Sequence, residues 1–436
     1  MAPNKIKHTI LIILAVSLFL PLFQLKFPFY EVKPLKGAVV KAEKPIFSWK
    51  LWMDETYAPA YEKYLNQAFG FRNWLVRLNN QIDFTLFHKS NAKGVIIGKE
   101  NYLFEENYIR AFYGTNFIGD SLINVRVQNL KLIREYLQSK GKDLLVVLAA
   151  GKGTFYSEFI PDKYYTKPGI TNNEVYVKTL TQAGIPFIDF NSYFLKAKDT
   201  SRYLLYPQTG IHWSQYGMIL VADSIARFIG NTLHEKLPEI RTESIELTNR
   251  FQGSDGDIEE GMNLICQINK QTLIYPKFNY FKEERVQPKV LVIADSYYWG
   301  LFNMGVSTNM FDNGRFWFYN NEVFPDNYQK STKVSDLNIL EEIQKQDIVI
   351  LMATEATLDR FPWGFDIMAI NAFHNTNTKN QQAIQRIKEI ADYIRKTQEW
   401  IAKIEIKAKD RNISVDSMIR IDARYLYREE QKKLVK

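Results

Sequence analysis

Hydrophobic and polar positions follow three different rhythms along the chain. From Thr9 to Leu25 every residue is uncharged and most are apolar, directly after Lys5 and Lys7. Between Tyr61 and Phe87 the apolar residues Leu75, Leu78, Ile82 and Leu86 recur at steps of three and four, predicting an amphipathic helix. Beyond Gly94 short, continuously apolar runs alternate with helical stripes. Helices are predicted over 121–139, 173–183 and 215–229, and strands over 144–149, 185–190, 289–294, 315–319 and 347–352. Gly94 to Phe104 places two β-prone runs around a polar turn and reads as a hairpin. Runs such as Leu144 to Ala149 and Val290 to Ala294 are what strands covered on both faces look like. The predicted fold class is therefore α/β, a parallel sheet flanked by helices. After about Asn371 the pattern becomes purely helical: Ile384, Ile387, Ala391 and Ile394 form one stripe, and Trp400, Ile401 and Ile404 begin another. Ser414 is placed to cap a last helix carrying Met418, Ile421 and Leu426.

This divides the chain into an N-terminal membrane segment (1–30), a linker rich in Pro and Lys (31–60), an α/β domain (61–370) and a helical appendage (371–436). The 436 residues are ample for a sizeable core. The first segment has the basic flank and apolar run of an export signal or anchor. It reaches only the lower limit for crossing about 30 Å of hydrocarbon, and Pro21 interrupts it. No small-x-small cleavage pattern follows, so an uncleaved anchor through residues 9–25 is expected. The rest of the chain would then face outward, on the periplasmic side of an inner membrane, away from cytosolic nucleotides.

Charge and composition narrow the chemistry. The net charge of +8 is concentrated in the tail, where residues 371–436 hold 15 Lys and Arg against 9 Asp and Glu. The rest is close to neutral and no nucleic-acid-binding motif accompanies the tail, so no nucleic-acid partner is expected. One cysteine, Cys266, and five histidines provide neither an intramolecular disulfide nor a metal-ligand spacing. No metal and no cofactor are expected.

In a sheet of this kind ligands bind beyond the carboxyl ends of the strands. Two sequences stand out, both at predicted sheet edges. Val290 to Ala294 runs into Asp295-Ser296-Tyr297, putting a serine on a strand-to-helix turn where its hydroxyl is exposed and its own N–H can serve an oxyanion. The blander reading is that Asp295 or Ser296 caps the next helix. Thr209 to Gly217 holds His212-Trp213 just ahead of a helix that Ser214 caps, a suitable mount for a general base. A serine and a histidine in one sheet are two of the three parts of an acyl-transfer site. Gly151 and Lys152, past the strand 144–149, are candidates to supply a backbone N–H and a cation to the oxyanion. Asp295, which can equally organise the turn, and Trp213 are further site candidates; Trp213, Tyr297, Tyr298, Trp299 and Trp363 would offer surfaces for sugar rings, although most of them are expected in the core.

In order along the chain, Phe69-Gly70-Phe71-Arg72, Gly94-Val95-Ile96-Ile97-Gly98-Lys99 with Tyr102-Leu103-Phe104, Lys152 ahead of Tyr156 and Pro161, His212-Trp213 and Asp295-Ser296 resemble the circularly permuted SGNH-hydrolase-like domain of alginate O-acetyltransferases and related polysaccharide acetylation proteins. The resemblance runs from about Tyr61 to Glu355. It implies an extracytoplasmic enzyme that carries acetyl on a serine and passes it to a polysaccharide hydroxyl, with an integral-membrane O-acyltransferase as the source of acetyl. Ser296 would be the nucleophile and His212 the base. The family pattern Asp-x-His-Trp puts the third member two residues before the histidine, where this chain has Gly210; the glycine usual before Asp-Ser is Ala294. Losing the acid of such a triad costs about 10⁴ in turnover. Three outcomes follow: a slow enzyme, substitution by another acid, with Glu355 past the strand 347–352 the first candidate, or a non-catalytic polysaccharide-binding or scaffold protein. An acetyltransferase or acetylesterase of cell-envelope polysaccharide is the leading reading.

Overall fold

The computed structural model describes residues 3–37, 42–268, 270–312, 314–325, 331–411 and 413–434, without the side chains of residues 3, 4, 375–384 and 431–434. Linker residues 38–41 and the side chain of Ile384 thus lie outside the described residues. The strands are β1 (Val95–Ile97), β2 (Leu103–Glu105), β3 (Asp143–Ala149), β4 (Phe187–Asp189), β5 (Glu239–Thr248), β6 (Leu273–Phe281), β7 (Val290–Ala294), β8 (Arg315–Phe318), β9 (Glu322–Phe324), β10 (Thr332–Lys333) and β11 (Ile348–Thr354). Contacts divide the chain into one unit of residues 1–334 and 346–363 and a second of 335–345 and 364–436.

In the first unit a seven-stranded sheet has the order β10-β9-β8-β7-β11-β3-β4. The five strands from β8 to β4 are parallel, as their apolar runs predict. The other edge differs from expectation: β9 and β10 run antiparallel, so the sheet is mixed. These edge strands hold three and two residues, too few for a periodicity to register. Every residue of β7 and β11 is buried, the consequence of helices on both faces. The helix Asp120–Gln138 buries Ile123, Val127, Leu130, Ile133 and Leu137, and Gln215–Leu233 buries Val221, Ala222, Ile225 and Ile229 against the core that holds β7. Two hairpins stand outside the sheet. One is β1–β2, at the predicted place. The other, β5–β6, has no counterpart in the predicted elements because most of β5 is polar and exposed.

The helix predicted over 61–87 is two, Tyr57–Ala68 and Arg72–Phe87. The break has a local cause: Phe71 takes a left-handed conformation at φ 63°, and Gly70 approaches the chain so closely that a Cβ would lie 2.4 Å from the Pro21 carbonyl oxygen. Pro21 sits within the N-terminal helix Pro3–Lys26 without ending it. The stretch Lys5–Lys26 is long and apolar enough to cross a membrane, with a mean hydropathy of 2.1. In the second unit the helices Phe365–Lys396, Gln398–Asp410 and Val415–Leu434 bury their own cluster, including Ile390, Ile394, Ile404, Met418 and Ala423. Ser414 accepts a hydrogen bond from the Ser417 N–H, the cap its sequence predicts.

Candidate active site

The parallel pairing of β7 with β11 places the carboxyl ends of both strands side by side, Ala294 opposite Met352. The turn after β7 is built around Asp295. Its fully buried carboxylate accepts hydrogen bonds from the Tyr297 N–H at 3.0 Å and from the Thr354 N–H, the Thr354 hydroxyl and the Thr357 hydroxyl, each at 2.8 Å. The last three of those bonds tie the two strand ends together. Ser296 follows, its Oγ 3.1 Å from Nε2 of His212, and its own N–H makes no hydrogen bond to any described residue.

His212 lies on a loop fixed from several sides. Ser214 caps the helix Gln215–Leu233, accepting from the Gly217 N–H at 3.1 Å. The Tyr297 hydroxyl donates to the Ile211 carbonyl at 2.5 Å, so the residue after the serine holds the residue before the histidine. Lys152, fully buried, donates to the carbonyls of Gln208 at 2.7 Å and Gly210 at 2.6 Å. Burial lowers its pKa to about 7, opposed by the charge of Asp257.

The third member comes from a segment to which the sequence assigned no role. Asp257 begins the short helix Asp257–Met262, and its Oδ2 is 2.6 Å from His212 Nδ1. Its Oδ1 accepts from the N–H groups of Ile211 at 2.9 Å and Ile258 at 2.8 Å. With Nδ1–H donating to Asp257, the neutral imidazole presents Nε2 to accept the Ser296 proton. Burial lowers the His212 pKa, but the hydrogen bond to Asp257 and the charges of Asp257, Asp295 and Glu105 outweigh it and hold the group above its ordinary value.

Glu355, the expected substitute acid, does not reach the histidine. Its carboxylate accepts from the Thr154 N–H at 3.2 Å and from the Thr154 hydroxyl. It also sits over Gly151, where a Cβ would come within 2.0 Å of it. Burial raises its pKa to about 7. The expected oxyanion donors are likewise engaged elsewhere: the Gly151 N–H donates to Asn191 Oδ1 at 2.8 Å, and the Lys152 ammonium is spent on its two carbonyls. Trp213 is fully buried, its ring 5.0 Å from that of Tyr297. It packs beneath the site.

Gly210 has a physical explanation. A Cβ there would lie 2.6 Å from the Asp255 carbonyl oxygen. The loop that delivers Asp257 occupies the space an acid at position 210 would need. No local pattern marks Asp257, which lies 45 positions from its partner His212; the available signal was the acidic, glycine-punctuated turn Ser254-Asp255-Gly256-Asp257 opening a helix. Tyr319, just past β8, was also missed. It is held at a positive φ of 49° and interacts with Ser296, while burial and the charge of Asp295 push its pKa up to about 12.

Ser296, His212 and Asp257 open on a cavity of about 610 Å³ that Met218, Asp255, Tyr275 and Trp299 also line. An activated hydroxyl, a base held in one tautomer by a carboxylate, and room for a second reactant are the parts that acyl transfer needs.

Residues 95–292 match the family model described as the SGNH hydrolase-like domain of the acetyltransferase AlgX. The match ends just before Ser296. No curated protein matches the chain. Among solved structures, the O-acetyltransferase domain of Pseudomonas putida AlgJ is similar at 15% identity and a TM-score of 0.43, over 64% of this chain and 99% of that one. Pseudomonas aeruginosa AlgX is similar at 17% identity and a TM-score of 0.33, over 60% of this chain and 55% of that one. Bacillus cereus PatB1 is similar at 12% identity and a TM-score of 0.36, over 55% and 91%.

Proposed function

We propose, from the premise that residues 95–292 are an SGNH hydrolase-like domain of the AlgX acetyltransferase family, that this protein transfers acetyl groups to polysaccharide hydroxyls through Ser296. The observation that carries the reading is the chain of hydrogen bonds from Ser296 through His212 to Asp257, 3.1 and 2.6 Å long, at the mouth of a cavity. Ser296 Oγ attacks the acetyl carbonyl of a donor while His212 Nε2 takes its proton. The tetrahedral oxyanion collapses, the donor's leaving group departs with that proton, and acetyl-Ser296 remains. An acceptor hydroxyl then gives its proton to His212 and attacks the ester, and His212 returns the proton to Ser296. Asp257 holds the imidazole in the required tautomer and stabilises the imidazolium. The unused Ser296 N–H is the backbone donor available to the oxyanion, and the protonated Tyr319 hydroxyl stands beside it.

Water in place of the sugar would make the same site an esterase. The scaffold reading rested on a missing acid, and Asp257 removes that motive. Through the apolar helix Lys5–Lys26 the domain would be held at the outer face of a membrane, where an integral-membrane O-acyltransferase can present acetyl to it.

The test is the intact mass of the full chain after exposure to an activated acetyl ester. A single acetyl adduct in the wild type that vanishes in Ser296→Ala is expected. An adduct that survives in Ser296→Ala, or a folded wild type that never acquires one, overturns the proposal.

A further inference from the structure

The cavity beside Ser296 has a chemical character that bears on the acceptor. It combines three primary amides with apolar surface. The side chains of Gln215, Gln252 and Asn303 line it and make no hydrogen bond to any described residue. An amide offers both a donor and an acceptor, which suits a ring of hydroxyls. Phe278 and Trp299 add flat apolar faces against which the C–H side of a sugar ring can lie.

Among its described lining residues there is no lysine and no arginine. Arg360 does not line it; its guanidinium is 5.8 Å over the Tyr319 ring and 3.8 Å from Asp359. The acids, in contrast, gather here. Asp257 and Asp255 both line the cavity, and Glu105 and Asp295 are near enough for their charges to act on His212. Asp255 is buried, and the Tyr275 hydroxyl, which also lines the cavity, is the group that interacts with its carboxylate. Burial raises its pKa to about 7, where it is partly ionised in neutral solution. A carboxylate brought in by an acidic sugar would be desolvated beside these groups with no lysine or arginine among the described lining residues to receive it.

Resting on the acyl-transfer reading above, we infer that the sugar unit accepting acetyl in this cavity is non-acidic, recognised through its hydroxyls by Gln215, Gln252 and Asn303, and that a uronate in its place is rejected. The site is thereby assigned to a neutral polysaccharide or a neutral residue of a mixed one.

The experiment follows loss of acetyl from the acetylated full chain with matched pairs of oligosaccharides in gluco, galacto and manno configuration, each pair differing only in a C6 alcohol against a C6 carboxylate. At least one neutral oligomer is expected to take up acetyl about tenfold or more faster than its uronate partner, a factor that corresponds to about 1.4 kcal/mol. Gln252→Lys, which places a cation in the cavity, is expected to narrow that ratio, whereas Gln252→Met should slow neutral acceptors without favouring uronates. Faster transfer to uronates, equal rates for every pair, or no transfer to any neutral oligomer from an enzyme that does acetylate overturns the inference and leaves the acyl-enzyme intact. Absence of a Ser296-dependent acetyl-enzyme overturns the acyl-transfer reading and this one with it.

Discussion

The turns after β7 and β11 leave neighbouring parallel strands and both carry a hydroxyl and a carboxylate, yet they do different things. After β7, Asp295 turns inward and spends its oxygens on the turn, which leaves Ser296 pointing at His212. After β11, Thr354 helps satisfy Asp295, and Glu355 is consumed by Thr154 over Gly151. Position at a strand end therefore does not make a residue chemical. What matters is whether the local turn satisfies its polar atoms or leaves them pointing outward, and the acid that completes the site, Asp257, belongs to neither turn.

The two carboxylates, Asp257 and Glu355, should separate most widely. Asp257→Asn is expected to lower turnover with an activated acetyl ester by about 10³ to 10⁴, since a non-ionisable partner no longer fixes the tautomer or stabilises the imidazolium. Glu355→Gln keeps an acceptor for Thr154 and is expected to stay within about threefold of the wild type, read in the same assay. Next in size is Gly210→Asp, which supplies the acid of the family pattern at the expected position. It is expected to destabilise the fold by about 1–3 kcal/mol in chemical denaturation and to lower turnover, because the Asp255 backbone must give way. Activity restored to an Asp257→Asn background by Gly210→Asp would contradict that.

Lys152→Met comes after these. It strips the Gly210 carbonyl of its Lys152 donor and leaves the Gln208 carbonyl with the Leu103 N–H alone, and about tenfold lower turnover is expected, from a loosened histidine loop. Because Lys152 acts only through that loop, the loss should appear in kcat with little change in KM for a small ester.

The pH profile gives the smallest effect. The base must be neutral, and the His212 pKa is raised, so the acid limb of turnover is expected above the ordinary value of 6.5. Asp257→Asn removes the largest of the causes that raise it and leaves only the charges of Asp295 and Glu105 against burial, which lowers it, so the limb should move to lower pH. The same sign governs stability: the His212–Asp257 pair contributes fully below the unfolded pKa of the histidine, and that contribution is lost as pH rises through the folded one.

The contrast between the turns also explains what the sequence made legible. Ser296 and His212 are visible because each adjoins a strong local signal: Ser296 follows a continuously apolar strand, and His212 stands just ahead of a Ser214-capped helix. The parallel core from β8 to β4 is visible for the same reason. Glu355 could be placed at a strand end, but the inward direction of its side chain depends on Thr154 and on the absence of a Cβ at Gly151. Asp257 reaches the histidine only because the segment around Asp255 folds against Gly210, a tertiary fit that neither helical nor strand periodicity encodes. The edge strands β9 and β10 and the polar β5 escape for a plainer reason: none presents a continuous apolar run.

The measurement that tests the site most directly is turnover of an activated acetyl ester by wild type, Asp257→Asn and Glu355→Gln at one pH, each checked for folding. A loss of about 10³ or more in Asp257→Asn beside a nearly unchanged Glu355→Gln is the predicted result. A folded Asp257→Asn that turns over like the wild type, or a folded Glu355→Gln that is dead, would contradict the assignment of Asp257 as the acid that serves His212.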